Sequence, residues 1–242
     1  MDAIKTVNLT KAYKDCVAVD RLNLQVKQGE LFALLGLNGA GKTTTVKLLS
    51  CLSAPTDGEA YVGGYNVATD SARVKQSIGV SPQETAIAPH LTIRENLELM
   101  CGIYGFSKEK TRAKIAELTE QFHLHQVLSQ KAKTLSGGFG RRVSIAMALV
   151  SEPAVLFLDE PTLGLDVIAR RELWEVIRSL KGHVTVLLTT HYMEEAAALS
   201  DRIGIMQDGK LLVVGTAEEL MERTNTDTFE NAFVAVVKEA GV

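Results

Sequence analysis

Apolar and polar positions follow two different rhythms along this chain. Residues 1 to 30 alternate in short runs around Val17-Ala-Val19 and Leu22-Asn-Leu-Gln-Val26, with a turn at Gln28-Gly29, which predicts an antiparallel sheet. From Leu31 onward, short and wholly apolar runs alternate with helical patterns, the signature of a parallel sheet covered on both faces. Leu31–Leu35, 154–158 and 184–190 read as its strands, and Thr43–Leu52, 168–180 and 192–199 as its helices. Between about residues 84 and 135 the strands vanish. Thr92-Ile-Arg-Glu95 is a capping box that opens one helix, and Ser107 opens another with Ile115, Leu118 and Phe122 on one face. A strand pair around Gly204-Ile-Met206 and Leu211–Val214 turns at Asp208-Gly209.

This pattern predicts one α/β domain over residues 1–222, with a helical insertion at about 84–150 inside it, and a C-terminal helical tail over 223–242. The tail carries Phe229, Phe233, Val236 and Val237 at helical spacing. It is expected to pack back on its own domain, with a partner-binding helix as the alternative.

Gly36-Leu-Asn-Gly-Ala-Gly-Lys-Thr43 adds the chemistry. It is a complete G-x-x-x-x-G-K-T loop between an apolar strand and a helix, the context that makes the motif a phosphate cradle. Gly36, Gly39 and Gly41 let the backbone wrap closely, so that N–H groups and the positive end of the next helix face the phosphates. Lys42 adds a point charge, and the Thr43 hydroxyl is placed to ligate Mg²⁺. The fold class expected is therefore α/β: a P-loop NTPase core of mostly parallel sheet flanked by helices, with an N-terminal antiparallel β subdomain and a helical insertion.

Composition narrows the partners. The chain has 242 residues, 46% of them hydrophobic and 23% charged, which suits a full globular core. A net charge of −3 leaves no electrostatic footprint for nucleic acid. The longest apolar runs fall far short of the roughly 20 residues of a membrane helix, so any membrane role is expected to come through a partner. The start Met-Asp-Ala-Ile-Lys lacks the basic and apolar segments of a signal peptide and predicts a cytoplasmic chain. Cys16, Cys51 and Cys101 are too few and too scattered for a disulfide frame or a zinc site.

Three further groups of residues bear on a nucleotide. Strand 154–158 delivers Asp159 and Glu160 at its carboxyl end, where ligands of an open α/β sheet bind. Asp159 would position Mg²⁺ and Glu160 would act as general base. His191 ends the next buried strand at the same edge and would reach the γ-phosphate, whereas His123 and His125 read as surface residues. Leu135-Ser-Gly-Gly138 opens a helix, so that Ser136, Gly137 and Gly138 form a second anion-binding terminus. Two such sites on one chain suit two copies facing head to tail, each offering its serine helix to the other's γ-phosphate.

The whole set resembles the ATP-binding-cassette family, in its nucleotide-binding subunit. The resemblance rests on the loop at 36–43, Gln83, Leu135-Ser-Gly-Gly138 with Arg142, Leu158-Asp-Glu-Pro161, Gly164-Leu-Asp166 and Thr190-His191, and it covers about Ala3 to Leu220. It implies an ATPase using ATP and Mg²⁺. Carried over by position, Tyr13 is similar to the aromatic that stacks on adenine, and Asn38, Ala40 and Thr44 join the loop residues at the nucleotide. Gln83 is similar to the glutamine that senses Mg²⁺ and the attacking water, and Asp166 to a residue bridging the dimer. The segment from Glu84 to about Met100 corresponds to the docking site for a membrane permease subunit. Phe139, followed by Gly140, departs from the glutamine the family often has there. Either it packs within the helical subdomain or it alters how the serine helix meets nucleotide or partner.

Pro161-Thr-Leu-Gly-Leu-Asp166, Arg170–Trp174, Thr190–Glu195 and Thr228–Phe233 are similar to the ATPase subunits of multidrug, antibiotic and lipid exporters. The resemblance thus implies a homodimer on the inner face of the cell membrane. Importer ATPases share the same catalytic set. Soluble cassettes acting on ribosomes or DNA are the alternative of another class, disfavoured by a single cassette without a basic patch.

Overall fold

The computed structural model describes residues 1–241, and two sheets organise them. Strands β1 (Asp2–Tyr13), β2 (Cys16–Leu22) and β3 (Gln25–Lys27) form the antiparallel sheet expected at the N-terminus. Next come β4 (Leu31–Leu35) and helix α1 (Lys42–Leu49). The chain then returns to the first sheet with β5 (Asp57–Val62) and β6 (Tyr65–Asn66), giving the order β2-β1-β5-β6 with β3 also on β1. These two strands are an addition to the sequence reading. Their apolar residues are sparse and Gly63-Gly64 breaks the alternation, so only pairing, of β5 to β1 and of β6 to β5, makes them strands.

Helix α2 (Ser71–Ser77) leads into β7 (Ile78–Ser81), a third unforeseen strand. The helical insertion follows: α3 (Ile93–Ile103), α4 (Lys108–Gln121), a 3₁₀ turn at Ala132–Thr134, and α5 (Gly137–Ala148). Thr92 and Glu95 form the expected capping box at α3, with the Thr92 N–H donating to Glu95 Oε2 at 2.7 Å. The core then resumes with β8 (Val155–Asp159), α6 (Val167–Ser179), β9 (Thr185–Thr190), α7 (Met193–Leu199), β10 (Arg202–Gln207) and β11 (Lys210–Gly215), and ends with α8 (Ala217–Thr224) and α9 (Phe229–Glu239). The second sheet has the order β11-β10-β4-β9-β8-β7, parallel throughout except for the β10–β11 hairpin.

This sheet divides the core in two, and the period-2 geometry of its strands explains how. In β4 every residue is buried: Leu31, Ala33 and Leu35 join the layer of the helical insertion, while Phe32 and Leu34 face α1 and the antiparallel sheet. β8 splits the same way, with Leu156 and Leu158 on one side and Val155 and Phe157 on the other. At about 1.5–3 kcal/mol per fully buried large apolar side chain, these central strands anchor both layers. On α9, Phe229, Ala232, Phe233 and Val236 are buried in the same layer as the helical insertion, and the helix packs on α8, α7 and β11.

The topology positions the site. Register pairs Leu35 with Thr190 and Asp159 with Thr189, so β4, β8 and β9 deliver their carboxyl ends to one level. That edge is where ligands of open α/β sheets bind.

Candidate functional site

The phosphate loop leaves β4 through positions only glycine can fill. A Cβ at Gly36 would lie 2.2 Å from the Met206 carbonyl oxygen, and one at Gly41 would lie 2.3 Å from that of Ala18. Gly41 also holds φ +100 and caps α1 without a side-chain acceptor, so the first-turn N–H groups are kept for a ligand.

Lys42 opens α1 and is buried. Its Nζ donates to the Gly36 carbonyl at 2.8 Å and to that of Leu37 at 3.2 Å, and lies 3.2 Å from Glu160 Oε1. The other carboxyl oxygen of Glu160 is 2.8 Å from His191 Nδ1. Glu160 thus sits between the loop lysine and the histidine, and its own side chain is only 7% exposed. Its backbone is in the left-handed region, at φ 49, a conformation that costs a non-glycine residue about 1–3 kcal/mol. Thr189 holds it there: the Glu160 N–H donates to both the carbonyl and the hydroxyl of Thr189, each at 3.1 Å. The Thr189 hydroxyl in turn donates to Asp159 Oδ1 at 2.5 Å, and the Thr43 hydroxyl donates to the same oxygen at 3.1 Å. Thr189 therefore orients both acids. It was absent from the sequence reading, although a buried hydroxyl residue ending the apolar run Val184–Leu188 was the available signal.

A cavity of 430 Å³ is lined by the loop from Asn38 to Thr44, which includes Gly39, Ala40, Gly41, Lys42 and Thr43, together with Ala18, Gln83, Glu160, Leu163 and His191. Ser136 and Gly137 line a separate cavity of 600 Å³, and Gln83 and Leu163 line both. Ser136 caps α5 by accepting from the Phe139 N–H, and Gly138 packs so closely on α6 that a Cβ there would lie 3.0 Å from that of Ala169. Within one copy, then, the structure gathers loop, Gln83, Asp159, Glu160 and His191, and sets the serine helix apart from them. Tyr13 ends β1, half-exposed beneath Lys11, and does not line the phosphate-loop cavity.

Two buried arginines brace the serine helix. Arg141 donates to the Pro82 carbonyl at 2.9 Å, just before Gln83; burial pushes its guanidinium pKa down, with Asp159 acting against that shift. Arg142 pairs with Glu172 of α6 and lies over the Phe139 ring, whose centroid is 5.2 Å away. Phe139 is partly buried against the main core, the packing alternative of the sequence reading.

A family model described as ABC transporter matches residues 19–163. The chain belongs to the ABC transporter family. More specifically, it is an ATP-binding domain of that family. It is 40% identical over 243 residues to YbhF of Escherichia coli, a probable multidrug ABC transporter ATP-binding protein, covering 98% of this chain but only 42% of YbhF. The linearmycin resistance ATP-binding protein LnrL of Bacillus subtilis is 39% identical, with 98% and 76% covered. Among solved structures, an ATP binding subunit of an ABC transporter superposes with a TM-score of 0.86 at 28% identity, covering 97% of this chain and 99% of that one. The dimeric cassette MJ0796 gives 0.79 at 30% identity, covering 88% and 98%, and is also known in a post-hydrolysis state bound to ADP and Pi.

Proposed function

We propose that this ABC cassette binds and hydrolyses ATP to power a membrane exporter of drugs, lipids or similar compounds. The observation that carries the hydrolytic reading is the contact series Lys42–Glu160–His191 at the mouth of the phosphate loop. A buried glutamate beside both the phosphate-binding lysine and a histidine is placed to accept the proton of an attacking water. The loop amides, Lys42, Asn38, Ala40 and Thr44 hold the phosphates, His191 contacts the γ-phosphate, and Tyr13 stacks on adenine.

Thr43, Asp159 and Gln83 would hold Mg²⁺. The fit rests on donor chemistry: a hydroxyl and a carboxylate oxygen 3.1 Å apart, with an amide at the same cavity, are hard oxygen donors of the kind Mg²⁺ takes in small number beside substrate phosphates. When bound, the ion neutralises charge on the β- and γ-phosphates.

The exporter reading draws on the relatives' names: multidrug for YbhF, linearmycin resistance for LnrL, and doxorubicin resistance for DrrA of Mycobacterium tuberculosis, 45% identical over 214 residues. Among the described residues no helix is long and apolar enough to cross a membrane. The permease would dock near residues 84–100, placing the chain on the inner face of the membrane. Tagging the chain and extracting it gently from host membranes tests this. A polytopic membrane protein should be recovered with it, whereas ribosomal proteins or nucleic acid in its place would overturn the transporter reading.

The separation of Ser136 from the phosphate loop supports a head-to-tail homodimer that sandwiches two ATP molecules. Only the closed dimer then pairs both anion sites with each γ-phosphate, and this differential affinity is what lets ATP drive closure. Ser136→Arg should retain ATP binding and lose hydrolysis in an assay of the purified chain; full turnover would refute the shared site.

A further inference from the structure

His191 borders two cavities. One is the phosphate-loop cavity; the other, of 500 Å³, is lined also by Arg170, Tyr192, Met193 and Phe229. With 26% of its side chain exposed, the imidazole has one hydrogen bond among the described residues, between Nδ1 and Glu160 Oε2 at 2.8 Å. A single bond at one ring atom leaves the plane of the ring free to pivot. The terminal torsion of a histidine is broad, so its rotamer does not fix that plane either. Packing has to fix it.

The side chain that packs there is Tyr192. Its ring centroid lies 4.0 Å from that of His191, with the two planes 41° apart. Tyr192 is itself held twice. Its N–H donates to the Thr190 hydroxyl at 3.0 Å, closing the backbone around His191, and the Arg170 guanidinium lies over its ring, 4.6 Å from the centroid. Arg21, Arg142, Arg178 and Arg202 each pair with a carboxylate. Among the described residues Arg170 has no such partner, and its buried Nε is without a hydrogen-bond acceptor. The aromatic face is what holds this cation. Arg170 stands in the first turn of α6, where its N–H donates to the carbonyl of the N-cap Asp166 at 3.0 Å. A continuous series of contacts thus runs from the start of α6 through Arg170 and Tyr192 to His191 and Glu160.

We propose that Tyr192 is a positioning residue for hydrolysis, with Arg170 as its anchor: the Tyr192 ring holds the imidazole plane so that Nδ1 stays on Glu160 and the ring stays at the phosphate-loop cavity. The inference rests on the ATP-hydrolysis reading of the site and adds two residues that do not line that cavity. A shift of the Glu160–His191 pair by about 1 Å can cost on the order of 100-fold in rate. ATP binding is spared, because the loop N–H groups and Lys42 keep their places.

The test pairs steady-state ATPase kinetics of the purified full chain with proton–carbon correlation spectra of its five histidine rings, His191 being assigned by its loss in His191→Ala. Tyr192→Leu should lower kcat by about 10- to 100-fold with KM for ATP nearly unchanged. Tyr192→Phe keeps the ring and should restore kcat to near that of wild type. Arg170→Gln should lower kcat by about 2- to 5-fold, the worth of one exposed cation–π contact, and should move the His191 signals although the tyrosine is still present. Rescue by phenylalanine, together with the split between kcat and KM, separates positioning from loss of fold. A wild-type kcat for Tyr192→Leu overturns the proposal, and so does a kcat for Tyr192→Phe as low as that for Tyr192→Leu. If Tyr192→Leu does not fold, Arg170→Gln decides: unchanged kcat with unmoved His191 signals overturns the proposal. Should the wild-type chain bind ATP without hydrolysing it, the ATPase reading fails, and the His191 signals judge the tie by themselves. Moved in Arg170→Gln they uphold it; unmoved they overturn it.

Discussion

Glu160→Gln should reduce ATP hydrolysis by about 10²- to 10⁴-fold, the range a positioned general base contributes, while ATP binding persists. The geometry explains both halves. The amide fits the same buried space between Lys42 Nζ and His191 Nδ1 but cannot take a proton from water. Binding persists because the groups that hold the phosphates, the loop N–H groups and Lys42, are untouched. Removing a negative charge beside the phosphates also relieves repulsion, so affinity should hold or rise. Phosphate release and nucleotide retention measured on the same preparation decide it: normal hydrolysis by Glu160→Gln would show that another group activates the water.

Lys42→Ala should weaken ATP binding by about 10- to 100-fold, the worth of losing charge-assisted hydrogen bonds of 1.5–3 kcal/mol. The same change strips Glu160 of its buried counter-charge, and breaking a buried ion pair from one side costs about 3–5 kcal/mol. The variant is therefore expected to melt at a lower temperature as well. Adding Glu160→Gln to Lys42→Ala removes the stranded charge and should recover much of the melting temperature without recovering ATP affinity. Titration with a fluorescent ATP analogue and a thermal melt on wild type, single and double variants separate the two effects. Unchanged ATP affinity in Lys42→Ala would sink the phosphate-loop assignment.

The elements that were readable from sequence are those whose own pattern is decisive. Leu31–Leu35 and Val155–Leu158 are apolar at every position because both of their faces are covered, and no helical or turn pattern competes. The capping residues Thr92, Ser107 and Ser136 all cap the helices expected of them. By contrast, β5, β6 and β7 have only weak local patterns. Asp57–Val62 becomes a strand by pairing with β1, and Ile78–Ser81 by pairing with β8.

The candidate site divides along the same line. Gly36 to Thr43, Asp159, Glu160 and His191 stand at strand ends, and a strand end in a parallel sheet can be placed from its apolar run alone. Thr189, which orients both acids, is marked in the sequence only as a hydroxyl residue ending an apolar run, and its bonds to Glu160 and Asp159 come from the fold.

By itself, then, the sequence determined a P-loop α/β chain with a phosphate-binding loop, an acid pair and a second anion-binding helix, since strand, loop and capping chemistry are local. Only the tertiary structure decided that Glu160 lies between Lys42 and His191, that Thr189 orients both acids, and that Ser136 lines a separate cavity joined to the first by Gln83. Those are contacts between residues distant along the chain, and their geometry follows from sheet register and helix packing, which no local pattern encodes.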